Sequence, residues 1–90
     1  GNLDALIAGL AQIDGVRVIR PDASFLVWVD VRAIGRPDAE VTSLLSSNGV
    51  VVEPGSSFGP TGSGFIRVNI GTARSRVEEA AVRITSALGA

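Results

Sequence analysis

The amino-acid sequence predicts an α/β two-layer (α+β) domain, in which a small four-stranded sheet, antiparallel or mixed, carries three helices mainly on one face. Three observations lead to this prediction. Apolar residues recur at three- and four-residue spacing in three segments, short apolar runs rich in valine and isoleucine lie between those segments, and glycine or proline marks most boundaries. With 90 residues, 46% of them hydrophobic, the chain suits one compact core. We therefore expect a single domain over residues 1–90.

An amphipathic helix opens the chain, with Asn2 placed to cap its start and Gly15 to end it. Its apolar stripe consists of Leu3, Leu6, Ile7, Leu10 and Ile13. A short strand over residues 16–19 is expected next. The Arg20-Pro21-Asp22 segment then turns the chain, since proline cannot extend a strand ladder.

Residues 24–31 are the predicted central strand, because they are apolar on both faces until Asp30. Such a strand is normally covered on two sides, which a two-layer domain of this size does not require. Trp28 within it is expected to be a core or interface residue rather than a platform for a ligand. Something beyond this chain is therefore expected to cover the second face.

Asp38 is the predicted N-cap of a second helix, which ends at Asn48-Gly49. The buried positions of this helix are Val41, Leu44 and Leu45. A short strand over residues 50–52 follows it. That strand leads into residues 55–64, a loop that holds four of the eleven glycines of the chain.

The third helix is predicted after a turn at Gly71-Thr72-Ala73, and it begins with a capping box formed by Ser75 and Glu78. Its buried stripe consists of Val77, Ala80, Ala81, Ile84 and Leu88. Glu78 and Glu79 lie opposite that stripe and are expected to be solvated. Gly89 closes the helix.

Arg67 stands in the middle of a strand predicted over residues 65–70. Because a strand has a period of two, Ile66, Val68 and Ile70 share one face, whereas Phe65, Arg67 and Asn69 share the other. A buried arginine needs an anion or water opposite it, since an unpaired buried charge costs several kcal/mol. The alternative is an arginine solvated on an open sheet face.

Composition excludes several classes of function. The net charge is −1 and the basic residues are scattered singly, so nucleic acid is not an expected partner. Without cysteine or histidine, the chain lacks disulfides, the usual metal ligands and an imidazole base, and no catalytic residue is expected in it. The longest apolar run is too short to cross a membrane, which predicts a soluble, cytoplasmic protein.

The glycine-rich loop is not expected to bind phosphate, because a strand follows it rather than a helix whose N-terminus would supply the anion site. Ser56 and Ser57 in this loop are not expected to act as nucleophiles. The chain has neither histidine nor lysine to activate them.

Three segments together resemble the C-terminal small domain of the class I/II pyridoxal-phosphate-dependent aminotransferases, and most closely the cystathionine β-lyase branch of that family. They are residues 21–30 (PDASFLVWVD), 54–59 (PGSSFG) and 62–69 (GSGFIRVN). The resemblance implies that Arg67 binds the α-carboxylate of an amino-acid substrate. A planar guanidinium can hold a carboxylate through two parallel hydrogen bonds.

The resemblance also implies a large domain that precedes this one and carries the Schiff-base lysine, the aspartate at the pyridine nitrogen and the phosphate-binding residues. This chain contains no lysine and starts with Gly-Asn, which fits a domain excised from a larger enzyme or a removed initiator methionine. Pyridoxal phosphate would be bound by the large domain, the full-length enzyme would be a homodimer, and either transamination or β-elimination at a carbon–sulfur bond would be its reaction. The alternative is a free-standing, ferredoxin-like regulatory or small-ligand-binding domain.

Overall fold

A four-stranded antiparallel sheet is the centre of the computed structural model, which describes residues 2–19, 26–71 and 73–88. Its strands are β1 (Arg17–Ile19), β2 (Leu26–Asp30), β3 (Glu53–Pro54) and β4 (Phe65–Asn69), in the spatial order β1-β2-β4-β3. Every neighbouring pair is antiparallel. The predicted four-stranded sheet is confirmed, and of the two pairings left open the antiparallel one is correct.

In the described part of the chain, three α-helices cover one face of the sheet: α1 (Asn2–Leu10), α2 (Asp38–Ser47) and α3 (Arg74–Leu88). The core between them and the sheet contains Leu6, Leu10, Val27, Val29, Val41, Leu45, Ile66, Val68, Val77, Ala81 and Ile84. The opposite face, called the outer face below, carries side chains that are half-buried or exposed, except for the buried Asp30 at the end of β2. The two-layer prediction is therefore confirmed. No helix in the described ranges has the length and apolar character to cross a membrane.

The predicted strand over residues 50–52 is wrong, because strand pairing begins later, at Glu53. Val50 and Val52 are buried, whereas Val51 is 89% exposed. The alternation of buried and exposed residues that suggested a strand is therefore present, but these residues are not paired with another strand. β3 is an edge strand of two residues, and its second residue is Pro54. An edge tolerates proline because one side of the strand needs no hydrogen-bond donor.

The first helix ends at Leu10 rather than near Gly15. Two turns continue the chain, in which the Ile13 N–H donates to the Leu10 carbonyl (3.1 Å) and the Val16 N–H donates to the Ile13 carbonyl (3.2 Å). Ile13 is still buried. The spacing of apolar residues thus predicted the burial of Ile13 correctly but overestimated the length of the helix.

The predicted helix starts are shifted. Asn2 already lies within α1, and its side-chain amide donates to the Ile70 carbonyl (2.9 Å), which ties the helix to the end of β4. Ser75 lies inside the first turn of α3, where Ala73 accepts the first hydrogen bonds of the helix. Ser75 is therefore not the N-cap. The expected helix stop at Asn48-Gly49 is confirmed, with Gly49 in the left-handed conformation (φ 80°).

Some predictions fall outside the described residues. They concern the turn at Arg20-Pro21-Asp22, the start of the predicted strand at Ser24 and Phe25, Thr72, and the helix stop at Gly89.

Candidate functional site

Arg67 lies at the centre of the outer face, between the two buried residues Ile66 and Val68 of β4. The register of the sheet places Trp28 opposite it on β2 and Glu53 opposite it on β3. The predicted division of residues 65–70 into an inner and an outer face is therefore confirmed. The sheet brings an acid and an aromatic side chain to either side of the arginine.

Among the residues that the structure describes, Glu53 and Phe58 contact the guanidinium of Arg67. Glu53 accepts through a single oxygen, Oε1, from Nη2 at 2.6 Å and from Nε at 3.1 Å. The Cζ atom of Arg67 lies 4.2 Å from the centre of the Phe58 ring, a distance at which a cation is attracted to the ring face. The side chain of Arg67 is 23% exposed and that of Glu53 is 52% exposed. The charge of Arg67 is thus compensated within the chain, but by a carboxylate that is open to solvent.

Arg32 provides an instructive contrast on the same face. Its guanidinium donates to both oxygens of Asp30, from Nε (3.0 Å) and from Nη2 (2.8 Å), and its backbone N–H donates to Asp30 as well. Asp30 is buried, and the hydrogen bond from the Arg32 side chain lowers the pKa of its carboxyl although burial acts in the opposite direction. The carboxylate bound to Arg32 is therefore buried and engaged through both oxygens, although the Arg32 side chain itself is 62% exposed, whereas the carboxylate bound to Arg67 is exposed and engaged through one oxygen.

The glycine-rich loop places Phe58 against Arg67. It folds as two short 3₁₀ helices, Gly55–Phe58 and Pro60–Gly62, between β3 and β4. Asp38 holds the start of this loop, since its Oδ2 accepts from the Ser56 backbone N–H at 2.6 Å. Ser56 thus contributes a backbone donor to the contact.

Asp38 itself is the first residue of α2, and the N-cap position belongs to Pro37. The predicted cap is therefore wrong, although the other oxygen of Asp38 accepts from the Ala39 N–H (3.1 Å). Burial tends to raise the pKa of the Asp38 carboxyl, but the hydrogen bonds from Ser56 and Ala39 outweigh it and the pKa lies below its ordinary value. A charged carboxylate is thus held beneath the loop.

An apolar cleft of about 420 Å³ lies beside the Phe58 ring that contacts Arg67. Its walls are formed by Ile19, Trp28, Phe58, Thr61, Gly62 and Phe65. Trp28 and Phe58 meet edge to face, with ring centres 5.6 Å apart. Trp28 is half-buried on the outer face and is not part of the core, and its place at an interface stays a prediction.

The sequence pattern singled out Arg67, but it did not indicate three residues that surround or support it. Glu53, Phe58 and Asp38 come from different elements, and no local pattern links them to Arg67. The one available signal was that an arginine on a half-covered strand needs an anion, and Glu53 supplies it. Within the described ranges, no group of three acids lies close enough together to hold a metal ion.

Comparison with known proteins decides the family. The family model described as aminotransferase class I and II matches residues 1–84. This chain belongs to that family. The resemblance inferred from the sequence is therefore confirmed.

Individual relatives agree with this assignment to the class I and II aminotransferases. Cystathionine β-lyase PatB of Bacillus subtilis is 38% identical over 86% of this chain, and the LL-diaminopimelate aminotransferase of Nitratidesulfovibrio vulgaris is 37% identical over 92% of it. A PLP-bound structure from Clostridium difficile superposes on 97% of this chain with a TM-score of 0.87 and 37% identity, and this chain covers 23% of it. The chain spans about a fifth of the length of the two curated relatives, 20% and 21%.

Proposed function

We propose that this chain is the C-terminal small domain of a pyridoxal-phosphate-dependent enzyme that acts on amino acids, and that Arg67 binds the substrate α-carboxylate. Membership of the class I and II aminotransferase family supports the enzyme class, and the short span relative to the relatives supports a domain within a larger protein. A free-standing ferredoxin-like regulatory domain is not favoured, because the family match covers residues 1–84.

One observation carries the role of Arg67. A guanidinium lies on the outer face of the sheet, is steadied by the Phe58 ring, and is compensated by one oxygen of an exposed carboxylate. An incoming carboxylate offers two oxygens to a planar fork and can form the stronger bidentate arrangement. Arg32 is less suited to this role, because the buried Asp30 already accepts from it through both carboxylate oxygens, whereas Glu53 uses a single oxygen on Arg67.

Pyridoxal phosphate does not fit the residues of this chain. The cofactor is held through a lysine Schiff base, and the sequence contains no lysine. The residues that bind it would belong to the rest of the polypeptide. What this chain would contribute is the orientation of the substrate by its carboxylate.

The names of the relatives suggest two reactions, elimination at a carbon–sulfur bond and transfer of an amino group. The choice depends on which substrate bond is oriented over the cofactor. Assays of the intact protein with cystathionine and with common amino donors would separate the two. A homodimeric enzyme and a cytoplasmic location stay predictions from the sequence.

The test of the proposal is Arg67→Ala in the intact protein. We expect kcat/KM for an amino-acid substrate to fall by an amount equivalent to about 2 to 5 kcal/mol, the range for removing one partner of a desolvated charge pair. Arg67→Lys should restore only part of this loss, because a point charge cannot reproduce the fork. The corresponding amine without a carboxylate should lose far less.

Arg83→Ala is the matched control, since Arg83 forms an ion pair of the same 2.6 Å length with Glu79 on α3. It should leave kcat/KM nearly unchanged. Equal losses on the amino acid and the amine after Arg67→Ala, with the protein still folded, would refute the carboxylate role.

A further inference from the structure

Glu53 occupies the donor edge of Arg67 that a ligand carboxylate would also use. The single oxygen Oε1 accepts from both Nε and Nη2. Among the described residues, no acceptor is bonded to the third nitrogen, Nη1. A carboxylate that binds Arg67 must therefore either replace Glu53 or share Nη2 with it.

The position and exposure of Glu53 allow a ligand carboxylate to replace it on Arg67. Glu53 belongs to a two-residue strand at the edge of the sheet, and its side chain is 52% exposed. Exposed ion pairs contribute little to stability, because solvent screens the charges and ordering the side chains costs entropy. Asp30, by contrast, is buried and receives three hydrogen bonds from Arg32.

From this geometry we infer that Glu53 is an internal competitor for Arg67, a carboxylate of the protein that a substrate must displace and that thereby sets the apparent affinity for carboxylate ligands. The inference rests on the proposed function, because it takes Arg67 to be the carboxylate site. Glu53 acts through Arg67 and is a specificity-determining residue. It opposes every anion at this site, whether the anion replaces it or binds beside it.

Charge repulsion fixes the direction of the effect. Two carboxylates about 4 Å apart repel by roughly 1 kcal/mol in a water-like medium, equivalent to about a fivefold change in affinity. Removing the charge of Glu53 should therefore tighten carboxylate binding. Loss of the ion pair itself should cost little, since the Glu53 carboxylate is 52% exposed and solvent can replace the contact.

The test compares Glu53→Gln with Glu79→Gln in the intact, cofactor-loaded protein. Glu79 is the matched control, because its exposed pair with Arg83 has the same 2.6 Å distance but lies on α3. For Glu53→Gln we expect the KM of an amino-acid substrate to fall about twofold to tenfold while kcat stays within about twofold. The inhibition constant of propanoate, a carboxylate without an amino group, should fall by a similar factor.

The controls separate this inference from a structural role. Glu53→Asp keeps the charge and should keep KM and the propanoate constant near those of the unchanged protein, and Glu79→Gln should alter neither. A higher KM or weaker propanoate inhibition in Glu53→Gln would mean that Glu53 positions Arg67 for the substrate, and an unchanged KM would mean that it does not compete. Either result overturns the inference.

The outcome with Arg67→Ala distinguishes the two proposals. If that variant loses carboxylate selectivity while Glu53→Gln fails to tighten binding, the inference about Glu53 alone is wrong. If Arg67→Ala keeps the full preference for an amino acid over the corresponding amine, the proposed function of Arg67 is wrong, and the inference about Glu53 falls with it.

Discussion

Asp38 lies on α2 and influences the position of Phe58 on the outer face through the glycine-rich loop. Its buried carboxylate accepts the Ser56 backbone N–H at 2.6 Å, 18 positions along the chain, and this contact fixes the first turn of the glycine-rich loop. Phe58 follows two residues later and stacks on Arg67. Asp38 is thus a positioning residue for the arginine, acting through the loop rather than on a ligand.

Asp38→Asn should lower the free energy of unfolding of the chain by about 1 to 3 kcal/mol at pH 7, because a neutral amide replaces a buried, charged acceptor. The pKa of Asp38 is lower in the folded chain than its ordinary value of 3.8, so its stabilising effect is present above that pH and is lost as the pH falls through the lower, folded-state pKa. Urea unfolding at several pH values measures this. The difference between variant and unchanged chain should shrink below about pH 4, and a difference that stayed constant with pH would contradict the assignment.

At the scale of elements, the loop over residues 55–64 is a packed structure and not an open glycine-rich connection. Gly55 is buried, and its backbone lies directly against that of Gly62, so that a Cβ atom on Gly55 would collide with the Gly62 carbonyl and come within 2.8 Å of the Phe65 carbonyl. The atoms in the way belong to the backbone, which cannot rotate aside as a side chain does. The two glycines therefore hold the loop closed at the start of β4.

Gly55→Ala should destabilise the chain by about 1 to 3 kcal/mol, the usual cost of overpacking. It should also move Phe58 away from Arg67, since both 3₁₀ helices must shift to make room. Chemical denaturation gives the first quantity, and the near-ultraviolet circular dichroism of the Trp28–Phe58 pair reports the second. Ser57→Ala, at an exposed position of the same loop, is the control and should change neither. A Gly55→Ala chain as stable as the Ser57→Ala chain would show that the loop is not closed in this way.

At the scale of the whole molecule, the two faces of the sheet differ in how they are covered. The inner face is buried by helices, whereas the outer face exposes Leu26 (37%) as well as Ile19 (43%) and Phe58 (47%), which line the apolar cleft. Exposed apolar patches of this kind commonly mark contact surfaces. In the proposed enzyme this surface would meet the large domain.

The 90-residue chain alone should therefore self-associate through the outer face at high concentration. Sedimentation velocity over a concentration series measures this. The double variant Ile19→Thr/Leu26→Ser should shift the chain towards monomer, because it removes apolar area from the face. Val82→Ser on α3, where Val82 is 68% exposed, should not. A monomer at every concentration would contradict the prediction.

The sequence by itself determined the layers, the number of strands and the face on which Arg67 lies. These features depend on repeats of two or of three to four residues, which report burial through near neighbours in the chain. The same signal was less reliable at element ends, as α1 and β3 show, because burial can continue where the hydrogen-bond ladder or helix does not. The resemblance that identified the family was also legible in the sequence, in three short segments.

Only the tertiary structure decided what surrounds Arg67. Glu53 lies 14 positions away and meets the arginine through the register of β3 and β4, and a slip of one residue would turn it to the other face. Phe58 reaches the guanidinium because the loop is folded back by Asp38 and closed by paired glycines. Register and loop closure result from contacts between distant segments, which a local pattern does not encode. That is why the position of Arg67 could be predicted from the strand pattern, while its partners could not.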